Sequence, residues 1–105
     1  MPCKLPQYLR SERRRRSLSQ GDVAAVLGTH EYSLRRYELN ERLPSLETAL
    51  VYEAVFGVPI SELFAGTYRD IRSRVKRRAR RLLAALSSGR YVERRKESLQ
   101  TIASR

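Results

Sequence analysis

Glu31, Tyr32, Arg35 and Arg36 stand at i, i+1, i+4 and i+5, so on a helix they line one face, while Leu34 and Tyr37 fall on another. Two guanidiniums, a phenol and a carboxylate make a gripping surface rather than a reacting one. They offer donors and acceptors to a partner outside the chain. Other chemistry finds no support. His30 is the only histidine and Cys3 the only cysteine. They exclude a histidine metal site, an internal disulfide and a cysteine-based zinc site, and no serine or cysteine nucleophile is paired with a base. No Gly-rich phosphate loop occurs. No catalytic residue, metal ligand, cofactor or small-molecule substrate is therefore expected, and no enzyme activity.

The face needs elements to hold it. Pro6 suits the first turn of a helix with Leu5, Tyr8 and Leu9 on one side, followed by the polar run Arg10–Arg16. Ser19 and Asp22 have capping-box spacing for a second helix, with Val23, Ala24 and Leu27 inward and Gly28 as its stop. A third helix runs from Thr29 or His30 to about Leu39, then a loop over residues 40–44, because Pro44 disfavours helix at the residue before it. Ser45 caps a fourth helix with Leu46, Ala49, Leu50, Val55 and Phe56 as its apolar set, stopped by Gly57. Pro59 opens a short fifth helix, Ile60 to Phe64, and Ala65-Gly66 closes the domain. No segment alternates with period two, so strands are not expected.

Charge divides the chain further. The 105 residues carry a net charge of +11, but residues 1–66 hold 9 basic and 8 acidic side chains, whereas residues 67–105 hold 13 and 3. The reading is a nearly neutral domain, residues 1–66, followed by a basic extension, residues 67–105. A polyanion, and nucleic acid first among polyanions, is the expected partner. The chain has no apolar run of membrane-spanning length and no apolar leader near Met1, so a cytoplasmic, non-membrane protein is expected.

From Gln20 to Tyr37, two short helices meet at Gly28, and Ala24 is small enough for them to approach closely. Leu34 and Tyr37 anchor the second helix and leave its other face free. One helix supports and the next enters a major groove: this is helix-turn-helix logic. The chain resembles the phage-repressor (Cro/XRE) type of helix-turn-helix regulator at Leu18-Ser19-Gln20, Val23-Ala24, Leu27-Gly28, Leu34, Arg36 and Glu38. The match continues through Pro44-Ser45-Leu46-Glu47-Thr48-Ala49-Leu50, Gly57-Val58 and Glu62-Leu63-Phe64.

The resemblance implies an all-α fold, a five-helix lambda-repressor-like bundle, here with a C-terminal basic helical extension. It also implies sequence-specific binding of double-stranded DNA, usually as a homodimer. Gln20 matches the glutamine that opens the support helix, touches phosphate and braces the recognition helix. Glu31, Tyr32, Arg35 and Arg36 match base-reading positions, Asn40 and Arg42 the loop that touches the DNA backbone, and Arg13 a helix-one arginine that faces phosphate. The chain departs from the family pattern at four places. Glu12 replaces an apolar core residue, Ser17 a glycine and Pro59 a serine cap. Glu31 puts a carboxylate near phosphates, and pairing with Arg35 is one way to neutralise it.

In the extension, Tyr68, Ile71, Val75, Ala79, Leu82 and Leu86 recur at steps of three and four among eight basic residues. This stripe is open to three uses: packing on the bundle, pairing with a second subunit, or lying on a membrane. Ser87-Ser88-Gly89 breaks the helix, and residues 91–105 form either a weaker helix or none. The basic residues would add affinity without sequence preference, so that removing residues 67–105 flattens the salt dependence and keeps the preferred sequence. Other readings are a protein-interaction module, such as an antitoxin, and RNA binding through the basic tail.

Overall fold

The computed structural model describes residues 7–86 and 92–105. Among the described residues seven helices follow one another: α1 (Leu9–Arg15), α2 (Gln20–Leu27), α3 (Glu31–Glu38), α4 (Leu46–Phe56), α5 (Ile60–Leu63), α6 (Ala65–Ala85) and α7 (Val92–Ala103). No strand occurs among the described residues. Two compact units divide at Tyr68 and Arg69. Leu5, Pro6 and the Ser87-Ser88-Gly89 break lie outside the described residues.

Side chains close the starts of α2, α4 and α5. Ser19 Oγ accepts from Asp22 N–H at 3.0 Å and Asp22 returns the bond by accepting from Ser19 N–H at 2.9 Å. These bonds hold the Asp22 carboxyl below its ordinary pKa. Ser45 caps α4 through Thr48 N–H at 3.2 Å. At Pro59, where the serine cap is missing, Glu53 reaches across from α4 and accepts from Ile60 N–H at 2.9 Å.

The stops share one geometry. After α1, α2 and α3 the chain takes a left-handed residue, Ser17 (φ 58°), Gly28 (φ 75°) and Asn40 (φ 59°). In each case the next amide folds back on the helix: Leu18 to Arg13, Thr29 to Ala24, Glu41 to Arg36. These are Schellman closures, which glycine and asparagine suit and serine does not. Ser17 thus stands where the family's glycine has a backbone reason.

Leu9, Val23, Ala24, Leu34, Tyr37, Tyr52, Phe56 and Leu63 form the core of the first unit, with Leu18, Leu27, Val55, Val58 and Phe64 packed against it. Tyr52 is central: its ring meets Phe56 at 5.8 Å and Tyr37 and Phe64 each at 6.4 Å. Burial pushes its hydroxyl pKa well up, and the hydroxyl has no hydrogen-bond partner among the described residues.

The structure departs from expectation at α4 and at Ala65-Gly66. The inward face of α4 is Tyr52 and Phe56, whereas Leu46 and Leu50 are 70% and 48% exposed. Of the expected apolar set, Phe56 is in the core and Val55 packs against it, while Leu46 and Leu50 face outward, because α4 is apolar on several sides. Ala65-Gly66, expected to close the domain, lies in the first turn of α6, where Tyr68 N–H bonds back to the Phe64 carbonyl at 2.9 Å. Glu12, which replaces an apolar core residue of the family, does not join the core, where Leu9 is fully buried. Instead Glu12 accepts from Arg16 at 2.6 Å and Arg15 at 2.9 Å, and the Arg16 hydrogen bond foremost holds its carboxyl below the ordinary pKa. Arg16 then lies 4.9 Å over the Phe56 ring and donates to the Phe56 carbonyl at 2.7 Å, which closes the end of α4.

The second unit, taken by itself, has a thin interior. Ala79 is buried, while Ile71, Val75 and Leu82 are each more than 40% exposed. Leu82 of α6 and Leu99, Ser98, Arg94 and Arg95 of α7 line a groove of about 310 Å³. Arg74–Asp70 at 3.2 Å and Lys96–Glu93 at 4.0 Å are exposed pairs within single helices.

Candidate nucleic-acid interface

α3 is fixed from below by a buried polar network. Glu38, whose side chain is 3% exposed, takes Arg13 Nε at 2.6 Å on one oxygen and Arg13 Nη2 at 3.1 Å on the other. Gln20 Nε2 adds a third bond to Glu38 at 3.2 Å, and the remaining Arg13 nitrogen, Nη1, donates to the Leu18 carbonyl at 2.9 Å. A forked guanidinium on a carboxylate fixes both position and rotation. Its bond to Glu38 foremost raises the Arg13 pKa. Gln7 completes the frame: its Nε2 donates to the Tyr37 and Glu38 carbonyls at 3.0 and 2.8 Å. Its Oε1 accepts from Leu9 N–H at 2.7 Å. One glutamine therefore closes the end of α3 and the start of α1.

This overturns the expected role of Arg13. It is 8% exposed and its donors are engaged inside the bundle, so it does not face phosphate. Gln20 is joined to α3 by its hydrogen bond to Glu38. Sequence reasoning gave no role to Gln7 or Glu38. The available signal was the Leu34–Glu38 spacing of four, which puts the carboxylate on the inward side of α3 next to a core leucine.

On the outward side, Tyr32 is 64% exposed, Glu31 and Arg35 are exposed, and Arg36 is half-buried. Arg36 is the best-held of the four: its guanidinium carbon sits 5.7 Å from the Tyr32 ring centre, and Nε lies 3.8 Å from Glu41. Both contacts leave guanidinium edges for another acceptor. Glu31 and Arg35 form no ion pair with each other among the described residues. The Glu31 carboxylate instead lies by Gly21 in the first turn of α2, 3.7 Å from where a Cβ would stand, at the positive end of that helix. Asn40 is the left-handed closing residue of α3, and Arg42 is exposed in the loop that follows. The structure thus gathers Glu31, Tyr32, Arg35 and Arg36 on one helix face, with Asn40 and Arg42 just beyond its end.

A supporting helix, a Gly28 turn, and a second helix locked at its base with a basic outward face match one family over residues 9–63, described as helix-turn-helix. The match covers just over half of the chain. The chain belongs to the Cro/XRE-type helix-turn-helix family. Its all-helical first unit is the lambda-repressor-like bundle of that family. A Thermococcus gammatolerans relative carrying the provisional name HTH-type transcriptional regulatory protein is 41% identical over 56 residues. That stretch is 53% of this chain and 18% of the relative, so the likeness is one of a domain. No solved structure matches the chain. Among the described residues, no helix is long and apolar enough to cross a membrane.

Proposed function

We propose that this helix-turn-helix protein binds double-stranded DNA in a sequence-specific manner and acts as a cytoplasmic, repressor-like transcriptional regulator. α3 enters the major groove, and bound protein blocks polymerase sterically. The observation that carries this reading is the division of α3 into two sides. Glu38 ties the inner side to Arg13 and Gln20, while Tyr32, Arg35 and Arg36 stand outward. A reader of bases needs its donors placed to within a fraction of an ångström, which such a frame supplies.

Arg36, held by Tyr32 and Glu41, is assigned two hydrogen bonds to guanine O6 and N7, worth about 1–3 kcal/mol of discrimination. Arg35 shares that face; Gln20, Asn40 and Arg42 take phosphates, and Tyr32 takes a phosphate or a thymine methyl. Glu31, turned toward Gly21, is left with a secondary part, accepting from a cytosine amino group. Two copies bind two half-sites about 34 Å apart, one turn of duplex, and the basic face of α6 adds sequence-independent attraction.

Selection from a random duplex library tests the reading. A palindromic consensus is expected, with Arg36→Ala losing preference at one base pair per half-site. No enrichment, or equal affinity for RNA, overturns it. Uniform weakening of Arg36→Ala on every sequence overturns the base contact and leaves a phosphate contact.

A further inference from the structure

Two apolar surfaces in this chain lack cover, and their rims have opposite charge. On α4, Leu46, Leu50 and Ala54 at i, i+4 and i+8 form an outward ridge, with Leu46 70% and Leu50 48% exposed. Helices apolar on several sides belong in interiors, yet the bundle covers only the Tyr52–Phe56 side. Glu47 and Glu53 flank the ridge, and α4 contains no basic residue. On α6, Tyr68, Ile71, Val75 and Leu82 are 42–46% exposed. That stripe runs among eight basic residues and one acidic residue, Asp70, which is already paired with Arg74.

We infer that these are the two halves of one interface between copies, the α6 stripe of each subunit lying on the α4 ridge of the other. Charge decides against the simpler pairings. Stripe on stripe would bring two strongly cationic helices together, and ridge on ridge would set Glu47 and Glu53 against their own copies. Only the crossed arrangement joins apolar to apolar and acidic rim to basic rim. Leu46–Leu50–Ala54 and Ile71–Val75 are both four-residue ridges, the kind that interdigitate in the commonest helix packing. Made twice about a twofold axis, the exchange closes into a dimer and not a filament. The inference rests on the homodimer part of the proposed function and is independent of DNA.

The test uses the full-length chain, without DNA, in a Cys3→Ser background that removes the single native thiol. Leu50→Cys and Ile71→Cys proteins are mixed under mild oxidation. A disulfide-linked dimer is expected in the mixture and at least tenfold less in either protein alone. Equal cross-linking within either protein alone indicates self-pairing and overturns the inference. An intrachain disulfide dominating in the double variant at every protein concentration also overturns it.

Sedimentation gives a second arm. Leu46→Glu and Val75→Glu alter exposed positions, so helical content by circular dichroism should be unchanged. Each is expected to weaken dimerisation at least tenfold. Mixing the two recovers dimer, because one of the two contacts is intact in the heterodimer. Added salt weakens the wild-type dimer if the rims attract; strengthening with salt overturns the crossed pairing. A dimer that survives both substitutions removes only this interface, whereas a monomeric wild type removes the homodimer too. Base selection by α3 is judged separately.

Discussion

The two units handle arginine in opposite ways. In the first, Arg13 and Arg16 are turned inward, each held by a named carboxylate and a backbone carbonyl, and Arg36 rests between Tyr32 and Glu41. In the second, eight basic residues crowd one helix around a stripe that covers itself poorly. Fixed guanidiniums suit recognition by geometry. Exposed ones on a solvated helix suit attraction by charge, which falls steeply with salt. The +11 of the chain is therefore two quantities: placed cations in a nearly neutral bundle, and a field from the extension.

The largest effect that would break this contrast is on the ion pair under α3. Glu38→Gln leaves Arg13 buried without its counter-charge and should cost about 3–5 kcal/mol in urea unfolding. A loss below about 1 kcal/mol would place Arg13 among ordinary surface arginines, as the family resemblance had implied. Next comes the field. Arg77, Arg80 and Arg81 lie on the side of α6 away from the apolar stripe. Replacing all three by glutamine should flatten the slope of log K against log salt by up to about 2.7. Affinity should fall about a hundredfold at physiological salt, with the preferred sequence unchanged. A changed consensus would make the extension a reader as well. This substitution tests the charge without cutting α6, which deletion from residue 67 would do.

Smaller effects sharpen the account of the bundle. Ser17→Gly removes a side chain from a left-handed residue and should stabilise the first unit by about 1 kcal/mol, read as a raised urea midpoint. The smallest effect is expected from Tyr52→Phe. Its hydroxyl is buried without a partner among the described residues, so its removal should change stability by less than about 0.5 kcal/mol or raise it. A clear loss in urea unfolding would show that the hydroxyl is satisfied.

Much of the first unit was legible in advance because its signals are local. Ser19 with Asp22, Gly28, Ser45 and Gly57 mark helix ends through bonds made within a few residues. The outward set on α3 follows from the spacing of Leu34 and Tyr37. The errors have a common cause. The outward role of Arg13 came from the resemblance alone, and local sequence could not correct it, since its carboxylate is 25 residues away. Leu46 and Leu50 looked inward because α4 has apolar residues on more than one side, and only neighbouring helices choose between them. Gly66 looked like a stop, yet it lies in the first turn of α6.

The sequence by itself determined an all-helical chain, the helix-turn-helix at residues 20–37, the outward residues of α3 and the uneven distribution of charge. Each of these depends on propensity, capping or periodicity, which act over one or two turns. Tertiary structure decided which arginines are spent inside, that Gln7 and Glu38 set the base of α3, and which side of α4 is left uncovered. Those depend on contacts between residues tens of positions apart, and a buried charge or an apolar ridge acquires its role only from what the fold places beside it.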